Sequence, residues 1–168
     1  GSWGNLRWYR PAVTGLVLLA YLGVGETPAS VEFGDSFSAA LDYLRRCLQE
    51  GSGIIRRRPE YAHPIVTMAL AETAALTQDR ELLDQTVTAA KGIIAGQNSL
   101  GGFTYGYETG PDKETGKLRM DLSIGAWNCQ AMASVAMAGG DSPELQAAMN
   151  KAAECIITRF PARNGFSY

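Results

Sequence analysis

The chain has 168 residues, 46% of them apolar, which is enough for one ordinary domain with its own core and excludes intrinsic disorder. Its 17 acidic and 15 basic residues leave a net charge of −2, too weak a field to draw the surface toward nucleic acid or anionic lipid. Nineteen glycines against seven prolines are more than a plain bundle uses and lack the strict period of collagen, so glycine is positional here.

Arg7 and Arg10 precede an uncharged run, Pro11 to Gly25, and then Glu26-Thr27-Pro28-Ala29-Ser30, an order that imitates a secretory leader. Trp3, Trp8 and Tyr9 suit a leader poorly, and the run falls short of the ~20 residues that cross a bilayer. The expectation is a core helix over Val13 to Val24 and no membrane span. Phe37, Leu41, Leu44 and Leu48 then recur at helical spacing, with Asp42, Arg45, Arg46 and Glu50 on the opposite side, which predicts an amphipathic helix. Arg56-Arg57-Arg58, followed by Pro59-Glu60, reads as a solvated loop; phosphate capture there would require these arginines to converge with helix N-termini.

Pro64 to Leu76 is nearly uncharged except for Glu72, and a helix apolar on all sides is buried on all sides. Leu83, Val87, Ala90 and Ile94 form the next one-sided stripe, against Arg80, Asp84 and Lys91. Successive turn residues at Glu108-Thr109-Gly110-Pro111-Asp112 and Glu114-Thr115-Gly116-Lys117 make Tyr105 to Met120 one long loop. Leu122 to Ala138 is apolar again, and Leu145, Ala148 or Met149, Ala152 and Ile156 give the last stripe. Thr77, Asp121 and Ser142 are candidate N-caps, the last followed by Pro143 and Glu144. Cys47, Cys129 and Cys155 lie in helical runs without C-x-x-C spacing and read as buried, unpaired thiols.

Glycine punctuation recurs at Gly1-Ser2-Trp3-Gly4, Gly51-Ser52-Gly53, Gly101-Gly102-Phe103 and Gly165-Phe166, and nine residues separate Leu44 from Gly53, Ile93 from Gly102 and Ile156 from Gly165. Such recurrence predicts an all-α repeat architecture: a curved double layer of three helical hairpins, with inner apolar and outer amphipathic helices. The units run over about 1–53, 54–103 and 104–168 of a single domain. A concavity formed by the inner helices and the loops entering them is where function is expected.

At Gln97-Asn98-Ser99-Leu100-Gly101-Gly102-Phe103 the chain resembles the QW motif of terpenoid cyclases such as squalene-hopene cyclase, with Phe in the Trp slot. Architecturally it also resembles the protein prenyltransferase β-subunit and bacterial prenyltransferase/squalene oxidase repeat proteins. Gly1-Ser2-Trp3 would be the tail of another copy, whereas Gln49-Glu50-Gly51-Ser52-Gly53 lacks the aromatic and the last unit lacks the glutamine. The resemblance implies that the three hairpins are a curved α/α toroid segment of a ring closed by about twice as many, and so a segment of a longer protein or a pair of associating copies.

The catalytic sets of such relatives are incomplete here. The acidic D-x-D-D motif of the cyclases is missing, and only Asp121 in Arg119-Met120-Asp121-Leu122-Ser123 fits it. Ser123 stands where the prenyltransferases have a zinc-binding Cys, and the sole histidine, His63, comes earlier in the chain than their pattern requires. No metal and no cofactor are therefore expected. Asp121 and Glu72 remain as catalytic candidates. Trp127, Glu72, Gln130, Tyr105 and His63 are candidate ligand-binding residues, Tyr105 through the long loop as a lid. Against each stands an ordinary structural role: a cap for Asp121, an ion pair or hydrogen bond for Glu72, core packing for Trp127, a hydrogen bond for His63.

Two functions follow as expectations. One is a binding or scaffolding module without a complete catalytic motif, whose partner is an apolar or isoprenoid small molecule, neighbouring repeats of a parent protein, or a second copy. The other is part of an isoprenoid cyclase or prenyltransferase-like enzyme, with the acid or metal supplied by another segment.

Overall fold

A computed structural model of the chain describes residues 1–56, 58–159, 161–162 and 165–166; Arg57 of the arginine run lies outside the described residues. Among them are six α-helices: α1 (Arg10–Gly23), α2 (Gly34–Glu50), α3 (Pro59–Thr77), α4 (Arg80–Ala95), α5 (Leu122–Val135) and α6 (Pro143–Arg159). The protein is all-α, apart from a two-residue antiparallel pairing of Pro161–Ala162 with Gly165–Phe166. No described helix is long and apolar enough to cross a membrane.

Helices α1, α3 and α5 lie side by side with α3 in the middle, and each packs against the helix that follows it in sequence; α4 also touches α5 and α6. This is a layer of apolar helices covered on one side by a layer of amphipathic ones. Gly15 makes the close α1–α3 approach possible, because a methyl there would meet the Ile65 side chain at 3.0 Å. Leu18, Phe37, Leu44, Val66 and Leu70 fill the core of the first two pairs, and Ile93, Phe103, Ile124, Met132 and Leu145 that of the last two. The two outer helices α2 and α4 are tied by Arg45 to Glu81 at 2.6 Å, an exposed pair of small energetic value.

Several boundaries differ from the sequence expectation. α3 begins at Pro59, five residues before the apolar run, because Pro59 suits the first helical turn; the interior Pro64 is tolerated although it removes one backbone donor. The cap of α4 is Asp79 rather than Thr77, its carboxylate accepting from the Leu82 amide at 3.0 Å. The hydroxyl of Thr77 instead donates to the Thr73 carbonyl at 2.7 Å, inside α3. Asp121 and Ser142 cap as expected, accepting from the amides of Ile124 and Leu145. The apolar stretch of α5 ends at Val135 and opens into a wide turn, Ala136–Gly140. The glycine repeat is only approximate in three dimensions: Leu44 lies well inside α2, whereas Ile93 is close to the end of α4.

The Gln97 to Phe103 segment is a clamp. The Gln97 amide donates to the carbonyls of Gly101 and of Ala148 in α6, at 3.1 and 3.0 Å. Asn98 accepts from the amides of Leu100 and Gly102 and donates to the Arg119 carbonyl. Gly101 has φ of +89° and a side chain there would run into the Lys151 carbonyl, so both backbone conformation and space demand glycine. One short motif therefore binds the α4 exit to α6 and to the end of the long loop.

Candidate functional site

The N-terminal ends of α3 and α5 meet beneath a short 3₁₀ turn, Tyr105–Tyr107. Ser123 donates to the Asp121 carboxylate at 2.7 Å. Its oxygen lies 2.8 Å from the Tyr61 hydroxyl. Serine has one proton and has given it to Asp121, so the Tyr61 phenol must be the donor in that second bond. A directed chain, Tyr61 to Ser123 to Asp121, thus joins the two inner helices. Asp121 Oδ1 accepts from both Ser123 and the Ile124 amide, so in this arrangement the carboxylate acts as an acceptor. The exposed Tyr105 ring stands edge-on to Tyr61, with centroids 6.4 Å apart.

Behind this chain the turn is anchored from below. Glu60, only 2% exposed, accepts from the Gly106 amide at 3.2 Å and faces the Arg58 guanidinium at 3.7 Å. The Tyr107 hydroxyl donates to the Asn128 side-chain carbonyl at 2.6 Å, while the Asn128 amide donates to the Ile124 carbonyl at 2.8 Å. Tyr107 has φ of +57°, a conformation costly for a residue with a Cβ, ~1 kcal/mol or more. Its ring packs edge-on against His63 and tilted against Phe103. Burial, then the Glu60 charge, hold its phenol well above the ordinary tyrosine range, so it remains a neutral donor.

Helical spacing places the other candidates relative to this mouth. On α3, Tyr61, Met68, Glu72 and Leu76 share the face turned away from the outer helices; on α5 that face carries Ser123, Trp127 and Gln130, with Met137 in the turn that follows; on α1 it carries Leu16 and Ala20. Glu72 is half-buried and accepts from the Ser134 hydroxyl at 3.3 Å across the α3–α5 seam. Trp127 is half-buried against the first core, and Gln130 is exposed. Trp127, Gln130, Glu72 and Asp121 therefore belong to one side of the inner layer, and Tyr105 stands at its mouth.

His63 sits on the opposite side of α3, toward α4. It is fully buried, its Nδ1 accepts from the Ile55 amide at 3.3 Å, and its Nε2 lies 2.9 Å from the Ala89 carbonyl. An acceptor Nδ1 requires the proton on Nε2, which donates to Ala89. Burial lowers its pKa from 6.5 to about 4. Both ring nitrogens are thus engaged within the fold. Among the described residues no group of three His, Cys, Asp or Glu side chains is placed to hold a metal ion.

Sequence reasoning missed Tyr61 and Glu60. The one signal for Glu60 was its place in the first turn of a helix thought to start later. Replacing Asp121 with Ala removes an N-cap, with an expected loss of ~1 kcal/mol, and Asp121→Asn, which keeps a capping oxygen, loses less. Urea unfolding of the two variants followed by circular dichroism checks that order.

Compared with protein-family models, with curated proteins and with solved structures, the chain finds no match in any of the three.

Proposed function

We propose that this chain is a prenyltransferase/squalene-cyclase-like repeat domain that acts as a binding or scaffolding module through the inner face of α1, α3 and α5. The observation that carries the reading is the exposure of large apolar side chains on that face. Leu16 on α1 is 43%, Leu76 on α3 58% and Met137, in the turn that follows α5, 88% exposed, on the side of the layer that carries Trp127, Gln130 and Glu72. A soluble surface scatters single apolar residues, but several exposed on one face of adjacent helices suit an apolar ligand or a packed neighbour. Asp121 serves as cap and acceptor, which speaks for binding rather than for proton donation to an alkene.

The second reading makes the segment one wall of an isoprenoid cyclase or prenyltransferase-like site whose acid or metal comes from another segment. The Tyr61–Ser123–Asp121 chain favours it, since it gathers two hydroxyls and a carboxylate at the mouth of the same face.

Farnesol titrated against the intrinsic tryptophan emission tests the first reading. Saturable binding is expected, weakened about tenfold or more by Leu16→Asp or Met137→Asp, a loss of ~1.4 kcal/mol, while the melting temperature of these exposed-site variants stays near the parent's. Absence of saturation would discard an isoprenoid ligand. Unaltered affinity in both variants would discard the face.

A further inference from the structure

A second site lies outside the inner face, between the start of α1 and the end of α2. A cleft of about 380 Å³ opens there, and its lining includes Arg7, Arg10 and Arg56 together with Pro11, Tyr43 and Ile55. This size falls at the lower end of small-molecule sites, roughly 300–1,000 Å³.

The charge arrangement is the informative feature. Arg45, Arg58 and Arg119 each face a carboxylate. Among the described residues the three arginines of the cleft have no carboxylate at ion-pairing distance, although Glu50 also lines it; Arg10 instead donates through Nε to the Gly4 carbonyl at 3.1 Å. A protein of net charge −2 thus gathers three cations and one acid around a single hollow. Like charges held together repel, and an anion seated between them relieves that repulsion. The N-terminus of α1 adds to the positive potential, because Tyr9 provides no side-chain cap and the first turn contains no acid. Tyr43 and Cys47 contribute no negative charge: burial pushes the phenol up to about 12 and also raises the thiol.

We infer that this cleft binds a small organic phosphate, its phosphate held by the guanidinium groups of Arg7, Arg10 and Arg56 and its compact apolar body resting on Pro11, Tyr43 and Ile55. Guanidinium forks match phosphate oxygens in bidentate geometry. The apolar residues distinguish an esterified phosphate from the bare ion. The site does not share residues with the inner face, so its occupancy is independent of the function proposed above.

Calorimetric titration of the whole chain at low salt with phenyl phosphate and with inorganic phosphate tests the inference. Phenyl phosphate is expected to bind saturably and about tenfold more tightly than inorganic phosphate. Arg7→Ala and Arg56→Ala, both at exposed positions, are each expected to weaken it by about tenfold or more, while Arg80→Ala, remote on α4, leaves it unchanged. Melting curves confirm that the variants fold. No saturable binding, equal affinity for the two anions, or an equal loss in Arg80→Ala overturns it. A lipid headgroup is the other source of the same chemistry; binding to phosphatidylglycerol vesicles without binding to phenyl phosphate would likewise overturn it.

Discussion

Between pH 6.5 and about 4 this protein is expected to lose stability through a single side chain. His63 is the only histidine, and burial lowers its folded pKa from 6.5 to about 4. The unfolded chain therefore binds a proton at a pH where the folded chain does not. The folded-state advantage is complete above pH 6.5, declines as the pH falls, and stops declining below about 4. Such a shift corresponds to ~3 kcal/mol. Geometry gives a reason beyond desolvation: Nδ1 accepts from the Ile55 amide, and a proton placed there would set two donors against each other. Urea unfolding across this range, compared with His63→Gln to subtract the carboxylates, gives the size of the effect. Proton NMR of the one imidazole gives its pKa directly, and a midpoint near 6.5 in the folded protein would refute the assignment.

Phe103→Ala is expected to be the most damaging single substitution near the site. The ring is 1% exposed and packs against Tyr107 at a centroid distance of 6.2 Å. Its removal leaves a core cavity, ~3–5 kcal/mol, lowering the melting temperature by roughly 10 °C for a domain of this size. It also withdraws one of the two rings that hold Tyr107 in its unfavourable backbone conformation. The Tyr105–Tyr107 turn should then loosen before the rest of the fold, visible as faster amide exchange at Gly106 than at Leu70. A loss below about 1 kcal/mol would mean that Phe103 can be replaced by collapse of its neighbours, and the clamp would then rest on Gln97 and Asn98 alone.

The two kinds of helix were legible because each records its surroundings as a pattern. Leu41, Leu44 and Leu48 mark one buried stripe on α2, and the run from Pro64 to Leu76, with Glu72 its one charge, marks a helix covered on nearly every side. The long loop announced itself through Gly110-Pro111-Asp112 and Thr115-Gly116. Asp121 was legible as a cap because capping is a local bond, made to an amide three residues away. The start of α3 was not legible, since Pro59 and Pro64 together resemble a loop until packing shows that only Pro64 lies in the helix interior.

The site divides along the same line. Asp121, Glu72, Trp127, Gln130 and Tyr105 could be singled out because a polar or aromatic residue stands out against an apolar run. What joins them could not, because each bond spans a large sequence separation: Tyr61 to Ser123, Glu60 to Gly106, Glu72 to Ser134. His63 was visible as a lone histidine ahead of an apolar run. Its burial against Ala89, and so its neutral form, depends on α4.

By itself the amino-acid sequence determined that the protein is built of helices, which of them are apolar throughout and which on one side only, and where the chain turns, since periodicity, capping and turn chemistry act over a few residues; that the apolar helices are not buried on all sides, Leu16 on α1 being 43% exposed, came from the structure. Only the tertiary structure decided that α3 lies between α1 and α5, that Arg56 joins Arg7 and Arg10 around one cleft, and that Tyr107 is held in a strained backbone conformation over His63. Those features are set by contacts between residues far apart in the chain, and no local preference encodes them.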